Sequence, residues 1–379
     1  MKAVTYQGYR KVEVASVAAP TIQDPEDIIV RVTRSGLCGS DLHLYNGMIP
    51  SLERGYVLGH ETIGIVEETG RAVHKVKKHD RVVIPFNVAC GKCRFCASQL
   101  ESLCDESNAE GEIGSAFGYS RLLGDYPGSQ AQYLRVPYGN FMPFVVPEAC
   151  ELPDDQLVML SDALPSALWS VRYAGVKPGD TVIVLGAGQI GLLVQKYAWL
   201  YGASRVICVE PVEYRAEHAK RTNGVETHTE IRAEEIGPYL LEKTSGGADV
   251  VIDCVGMDGK KNLLESVETA LRLQGGAEGA IRSAAQMVRK GGTIQLTGVY
   301  GLRYNSFPLG DLFARGVTLK MGQASVLHLV PQVYDDLARG RVDPSDLLTH
   351  KLPIDAAPHA YDIFLHKKEQ CIKIVMCPN

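Results

Sequence analysis

At 379 residues the chain exceeds what one hydrophobic core usually organises, so two domains are expected. Hydrophobic residues at 45%, charged residues at 22% and a net charge of −5 describe an ordinary soluble globular protein, which excludes a disordered chain. Lys and Arg are dispersed, with only short clusters such as Lys75 to Lys78, and without a basic excess no nucleic-acid partner is expected.

The opening stretch "MKAVTYQGYRKVEV" alternates apolar and polar residues and predicts a strand, with no apolar run leading to a cleavage site. Next come "SGLCGSDLH", carrying Cys38, Ser40, Asp41 and His43, and "GHETIG", with His60 and Glu61 between glycines. Taken singly, a Cys is as readily a small buried hydrophobe, and a His beside glycine a turn residue, so both ligand and packing roles remain open.

"CGKCRFCASQLESLC" follows, with Cys90, Cys93, Cys96 and Cys104 at a spacing that lets one loop bring four sulfurs to a common centre. A structural Zn2+ with four thiolates about 2.3 Å away is the expectation, closed to substrate and serving only to tie down the loop. An iron–sulfur cluster and a loop of unbound thiols are the competing readings.

Thr181 to Leu200 is nearly long enough for a membrane span, yet Gly186, Gly188, Gln189, Gly191, Gln195 and Lys196 interrupt it. That pattern predicts a strand, Thr181 to Leu185, a turn, and a helix from near Gln189. No membrane association is expected, and a cytoplasmic location follows, where close cysteines more often bind metal than pair. "GAGQIG" thus stands between strand and helix, as in a dinucleotide-binding turn: Gly186 makes the turn, Gly188 admits the pyrophosphate, and Gly191 lets helix pack on strand. "RVICV" is the next strand and ends at Glu210, whose carboxylate suits the ribose hydroxyls and repels a 2′-phosphate, favouring NAD over NADP. Candidate coenzyme contacts are Gly186, Gly188, Gln189, Ile190, Gly191, Glu210 and Arg215. Strands at "ADVVIDCVG" and "GGTIQLTGVYG", separated by a mostly helical stretch, predict an α/β doubly wound parallel sheet.

In this order, "CGSDLH", "GHE", the four-cysteine loop and "GAGQIG" resemble the zinc-dependent medium-chain alcohol dehydrogenases along essentially the whole chain. The phrases "GDYPGSQAQYLRVP", "FPLGDLF" and "CIKIV" are similar to the formaldehyde-dehydrogenase-like branch of that family. The resemblance implies a β-rich GroES-like catalytic domain from residues 1–152 and 318–379, with a Rossmann NAD-binding domain at 153–317 between its parts. It makes Cys38 and His60 ligands of a catalytic zinc with Glu61 in the outer shell. The third ligand falls in "LSDALPSALWSV", where Asp162 is the suitable side chain; a helix cap is its other reading, since Pro165 and an apolar helical run follow.

One catalytic and one structural zinc per chain are thereby expected. By the same resemblance Ser40 contacts the substrate oxygen and hands its proton through the nicotinamide ribose to His43. The implied activity is NAD-linked interconversion of small alcohols with aldehydes or ketones, in a homo-oligomer, dimer or tetramer. A polyol or sugar-alcohol dehydrogenase of the same fold and a catalytically inactive nucleotide-binding zinc protein are the alternatives.

Overall fold

The computed structural model describes residues 1–49, 52–108, 113–229, 233–256, 279–300 and 307–379. Two compact units emerge, one formed by Met1–Pro165 with Ser325–Asn379, the other by Ser166–Ala324. The segment after Pro153 is held by the first unit. Asp154 accepts hydrogen bonds from Thr33 and Arg81, Asp155 pairs with Arg34 and Lys351, and Ser161 O accepts the Phe86 N–H at 3.0 Å.

The first unit is β-rich. Strand Ile28–Leu37 pairs antiparallel with Glu61–Thr69, Tyr133–Val136 and the C-terminal strand Lys373–Cys377, which itself pairs parallel with Leu348–Pro353. Arg81–Ile84 and Phe144–Val145 extend the sheet on the far side of Glu61–Thr69. Val30, Val32, Val66, Val82, Ile84, Leu134 and Val136 from these strands are buried together. Burial of each such side chain contributes ~1.5–3 kcal/mol, which fixes the register of the strands that deliver the site. The stretch after Ser325 therefore completes this sheet and is not a free tail.

In the second unit, strands Thr181–Leu185, Arg205–Val209, Glu226–His228, Ala248–Asp253, Val288–Leu296 and Thr318–Met321 form a parallel sheet among the described residues. The sheet runs outward in both directions from Thr181–Leu185: through Arg205–Val209 to Glu226–His228, and through Ala248–Asp253 to Thr318–Met321. The doubly wound order expected from the sequence is this one. Each of the four middle strands sends an apolar side chain, Ile183, Ile207, Val251 and Ile294, into one buried cluster, as strands covered on both faces require. Of the stretch read as mostly helical, Gly279–Met287 is a helix and residues 266–278 lie outside the described residues. Among the described residues no helix is long and apolar enough to cross a membrane.

Candidate active site

Three chain segments meet in the first unit. The register of strand Ile28–Leu37 against Glu61–Thr69 shifts twice, the second time between Val32 and Arg34, and such bulges re-aim a strand end. That end delivers Cys38, the N-cap of helix Gly39–Tyr45, whose third residue Asp41 accepts the Cys38 N–H through Oδ2 at 2.9 Å. His60 immediately precedes the neighbouring strand. Asp162 ends the tight turn Val158–Ser161, which is fastened to the same strand because Ser161 Oγ accepts the Thr62 N–H at 3.1 Å.

The structure brings Cys38, His60, Glu61 and Asp162 together, all buried, with one ligand-type atom from each within 4.8 Å of the others. Cys38 Sγ and His60 Nε2 each lie 3.4 Å from Asp162 Oδ2. A tetrahedral zinc at ordinary bond lengths separates its ligand atoms by about 3.3–3.8 Å, so the donor spacing and its sulfur, nitrogen and oxygen chemistry fit that ion. Burial, then Asp162, pushes the Cys38 thiol up to about 11. At His60 burial works toward the neutral ring, but Asp41, Asp162 and Cys38 outweigh it and the ring holds its proton well above the ordinary range.

Glu61 belongs to the group yet has a cation of its own. Its Oε2 pairs with the ammonium of Lys373, both side chains wholly buried, and Lys373 also donates to Leu37 O at 3.2 Å. Burial raises the Glu61 carboxyl and Lys373 opposes the rise. His60 Nδ1 lies 3.3 Å from Asp41 Oδ1, the carboxylate–imidazole arrangement that leaves Nε2 as the ring's metal-facing atom.

Ser40 Oγ stands 3.8 Å from Cys38 Sγ. His43 follows three residues later on the same helix, a spacing that puts both on one face, and its Nδ1 lies 3.3 Å from the Tyr119 hydroxyl. Sequence reasoning missed Tyr119 and Lys373. Neither sits in a short motif with its partner, and Lys373, although inside "CIKIV", carries no local sign of Glu61.

The four cysteines of the loop also converge. Sulfur separations are 3.9 Å for Cys90 to Cys96, 3.5 Å for Cys93 to Cys96 and 3.9 Å for Cys93 to Cys104. About 3.8 Å is the edge of a tetrahedron with zinc–sulfur bonds of ~2.3 Å, so this set fits a closed structural zinc site. Backbone N–H groups of Lys92 and Cys93 point at Cys90 Sγ, and that of Cys90 at Cys104 Sγ. Although burial works against it, N–H and thiol donors bring Cys93 down to about 7.

In the second unit the glycine turn has the geometry its motif requires. Gly186 has φ +93°, and a Cβ on Gly191 would stand 2.1 Å from Gly186 O. Both are imposed by the fold. Gly188 is different: it is the N-cap of helix Gln189–Leu200, and a Cβ there would meet nothing nearer than Arg215 Nη1 at 4.0 Å. Open space beside an ordinary backbone is a cradle that a side chain would fill, which fits an approaching pyrophosphate. Gln189 and Ile190 open the helix next to it. Glu210 is buried, and its two carboxylate oxygens accept the N–H groups of Ala187, at 2.7 Å, and Val212, at 2.8 Å. It therefore braces the turn as well as facing it. Arg215 lies beside the turn, with Nε donating to the Tyr214 hydroxyl at 3.2 Å.

A β-rich unit with two clusters of metal-ligand side chains, joined in sequence to a doubly wound parallel sheet, defines the GroES-like medium-chain class of dehydrogenase. The family description "Alcohol dehydrogenase GroES-like domain" matches residues 24–148, and "Zinc-binding dehydrogenase" matches residues 190–276. An uncharacterized zinc-type alcohol dehydrogenase-like protein of Bacillus subtilis is 55% identical over 378 residues, covering 100% of both chains. A glutathione-independent formaldehyde dehydrogenase of Pseudomonas aeruginosa is 32% identical, over 96% of this chain and 94% of its own. Among solved structures, an alcohol dehydrogenase of Thermus sp. ATN1 superposes with a TM-score of 0.83 at 33% identity, covering 100% of this chain and 99% of that one. The chain belongs to the zinc-type alcohol dehydrogenase family and is an oxidoreductase.

Proposed function

We propose that the chain is an NAD- and zinc-dependent dehydrogenase interconverting small alcohols with their aldehydes or ketones. What carries this reading is the convergence of Cys38, His60, Glu61 and Asp162 within 4.8 Å in a buried group separate from the four-cysteine loop. Cys38, His60 and Asp162 would hold a zinc with one coordination place left for substrate, and Cys90, Cys93, Cys96 and Cys104 a second, closed one. When bound, the first zinc supplies Lewis acidity to a hydroxyl or carbonyl oxygen and NAD the acceptor of the hydride.

The chain's own residues do the remaining work. Ser40 Oγ, beside Cys38, accepts a hydrogen bond from the substrate hydroxyl and takes up its proton while passing its own hydroxyl proton on. His43, on the same helix face and anchored at Nδ1 by Tyr119, is the base that receives it. Glu61 stays with Lys373, leaving three ligands. In the second unit Glu210 holds the glycine turn, and its carboxylate disfavours a 2′-phosphate, which supports NAD over NADP.

The formaldehyde dehydrogenase of Pseudomonas aeruginosa supports small primary alcohols and aldehydes as the substrate class. None of the ten cysteines is paired in a disulfide, which suits a reducing cytoplasm. Assembly as a homo-oligomer is supported by Leu309 and Phe313, 67% and 86% exposed, and by Met321, 53% exposed on the edge strand Thr318–Met321.

The test is zinc content measured alongside NADH formation over short, branched, aromatic and polyhydroxy alcohols. Asp162→Ala is expected to lose one zinc and all turnover while still binding NAD. Full activity in that variant would overturn the ligand assignment, and a zinc-loaded wild type without turnover would overturn the enzyme.

A further inference from the structure

Asp41, which faces His60, is itself held from behind. Gln130 Nε2 donates to Asp41 Oδ2 at 3.3 Å, and the Tyr361 hydroxyl donates to Gln130 Oε1 at 2.8 Å. Asp41, Gln130 and Tyr361 have no exposed surface, so water does not compete for these bonds. Their direction is forced. An ionised carboxylate only accepts, so Gln130 must turn its NH2 group to Asp41, leaving its carbonyl for Tyr361, whose O–H must then donate.

The backbone makes room for this chain of bonds. Gly59, the residue before His60, has φ +95°, and a Cβ there would lie 2.4 Å from Gln130 Cγ and 2.8 Å from Gln130 N. The Gln130 N–H also donates to Leu58 O at 2.9 Å. Gln130 is therefore seated directly over the peptide that leads into His60. At the other end, Tyr361 lies on helix Ala357–Leu365 and packs its ring 5.0 Å from that of Tyr45, the last residue of the helix that bears Asp41.

We infer that Gln130 and Tyr361 are positioning residues for the catalytic metal, forming a relay from the C-terminal helix through Asp41 that fixes the tautomer and orientation of His60. The inference rests on Cys38, His60 and Asp162 holding that metal. Asp41 Oδ1 lies 3.3 Å from His60 Nδ1, and neither atom is hydrogen-bonded to any other group among the described residues, so the carboxylate that Gln130 holds by its other oxygen favours the proton on Nδ1 and leaves the Nε2 lone pair for the metal. Outer partners of a metal-bound His change metal affinity by about 10–100-fold, and the two residues behind Asp41 belong at the lower end of that range.

The experiment follows zinc transfer from the intact, fully loaded enzyme to a colorimetric chelator in wild type, Tyr361→Phe and Gln130→Met. The four-cysteine site serves as an internal reference, and Asp162→Ala identifies the phase due to the other site. Both variants are expected to release catalytic zinc roughly ten-fold faster while structural zinc leaves at the wild-type rate. With Co2+ in the catalytic site, their visible absorption bands shift from those of wild type. Unchanged release and superimposable Co2+ spectra in Tyr361→Phe, which keeps the ring and removes only the hydroxyl, overturn the inference. Equal acceleration of both zincs, with a lowered melting temperature, marks a merely structural role and overturns it too. A wild type that shows no four-coordinate Co2+ spectrum instead overturns the metal site on which the inference rests.

Discussion

Replacing Lys373 with Met tests how the buried charges near the site are balanced. Lys373 and Glu61 face each other with no exposed surface on either side chain. Met matches the length of Lys without its charge, so the substitution removes the cation from beside a wholly buried carboxylate and leaves the packing nearly intact. Breaking a buried pair in this way destabilises by about 3–5 kcal/mol, whereas replacing both members with neutral groups of similar shape is close to neutral. For a unit of this size each kcal/mol moves the melting temperature by roughly 2–4 °C, so Lys373→Met should melt ~10 °C below wild type. Glu61→Gln/Lys373→Met should recover most of that loss, and Lys373→Arg should lie between. Calorimetry and urea unfolding of these proteins together with Glu61→Gln, with and without added zinc, supply the cycle. The reasoning fails if Lys373→Met unfolds within 1 kcal/mol of wild type, or if the double variant is less stable than the single one.

Cys104→Ser should lower zinc content by one per chain and reduce thermal stability, because it opens a site whose binding energy holds the loop; full zinc content in this variant would contradict the closed site. Gly188→Ala and Gly191→Ala should separate ligand space from backbone space. The first leaves melting unchanged in the absence of coenzyme but weakens NAD binding, since its Cβ enters open space; the second destabilises the second unit outright, since its Cβ would meet Gly186 O at 2.1 Å, and equal melting temperatures would reject the distinction. At Asp249 burial raises the carboxyl, but the Thr181 N–H and the Arg289 guanidinium outweigh it and hold it below the ordinary carboxylate value. Its contribution is therefore fully present above about pH 4 and lost as pH falls through the folded-state value. Urea unfolding at pH 7 and near pH 3 should show the destabilisation by Asp249→Asn shrinking with acid, and a constant difference would refute the assignment.

Sequence separation decided what could be read in advance. The four thiols fall within one loop, Cys90 to Cys104, so spacing alone revealed a common centre. Strand, glycine turn, helix and Glu210 are likewise one continuous unit, and the structure keeps that order. Cys38, His60 and Asp162 were reached only through the order of motifs, because no local pattern distinguishes a ligand Cys from a packed one. The supporting groups are further apart still. Gln130 meets Asp41 across 89 residues, Tyr361 meets Gln130 across 231, and Lys373 meets Glu61 across 312. In "CIKIV" alternation alone would turn Lys373 outward, yet Lys373–Cys377 is buried from its first residue because Glu61 waits opposite. Glu210 was read for its ribose role, and its second task of holding two backbone N–H groups depends on a turn geometry that sequence does not supply.

Charge explains why one chain can carry two such different cation sites. Four thiolates around a divalent ion leave an excess of two negative charges, which here falls on sulfurs that accept N–H groups from Cys90, Lys92 and Cys93. Electron-rich and fully coordinated, that centre suits a loop staple and no chemistry. At the other site the ionisable set is Cys38, Asp162 and Glu61, three anions when deprotonated, facing a divalent ion and the Lys373 ammonium. That sum is zero. A mixed donor set with less negative charge would leave a divalent ion held there more Lewis-acidic than a thiolate cage would. Lys373 would thus matter beyond stability, because without it the site carries one more negative charge and a metal held there would be a weaker Lewis acid.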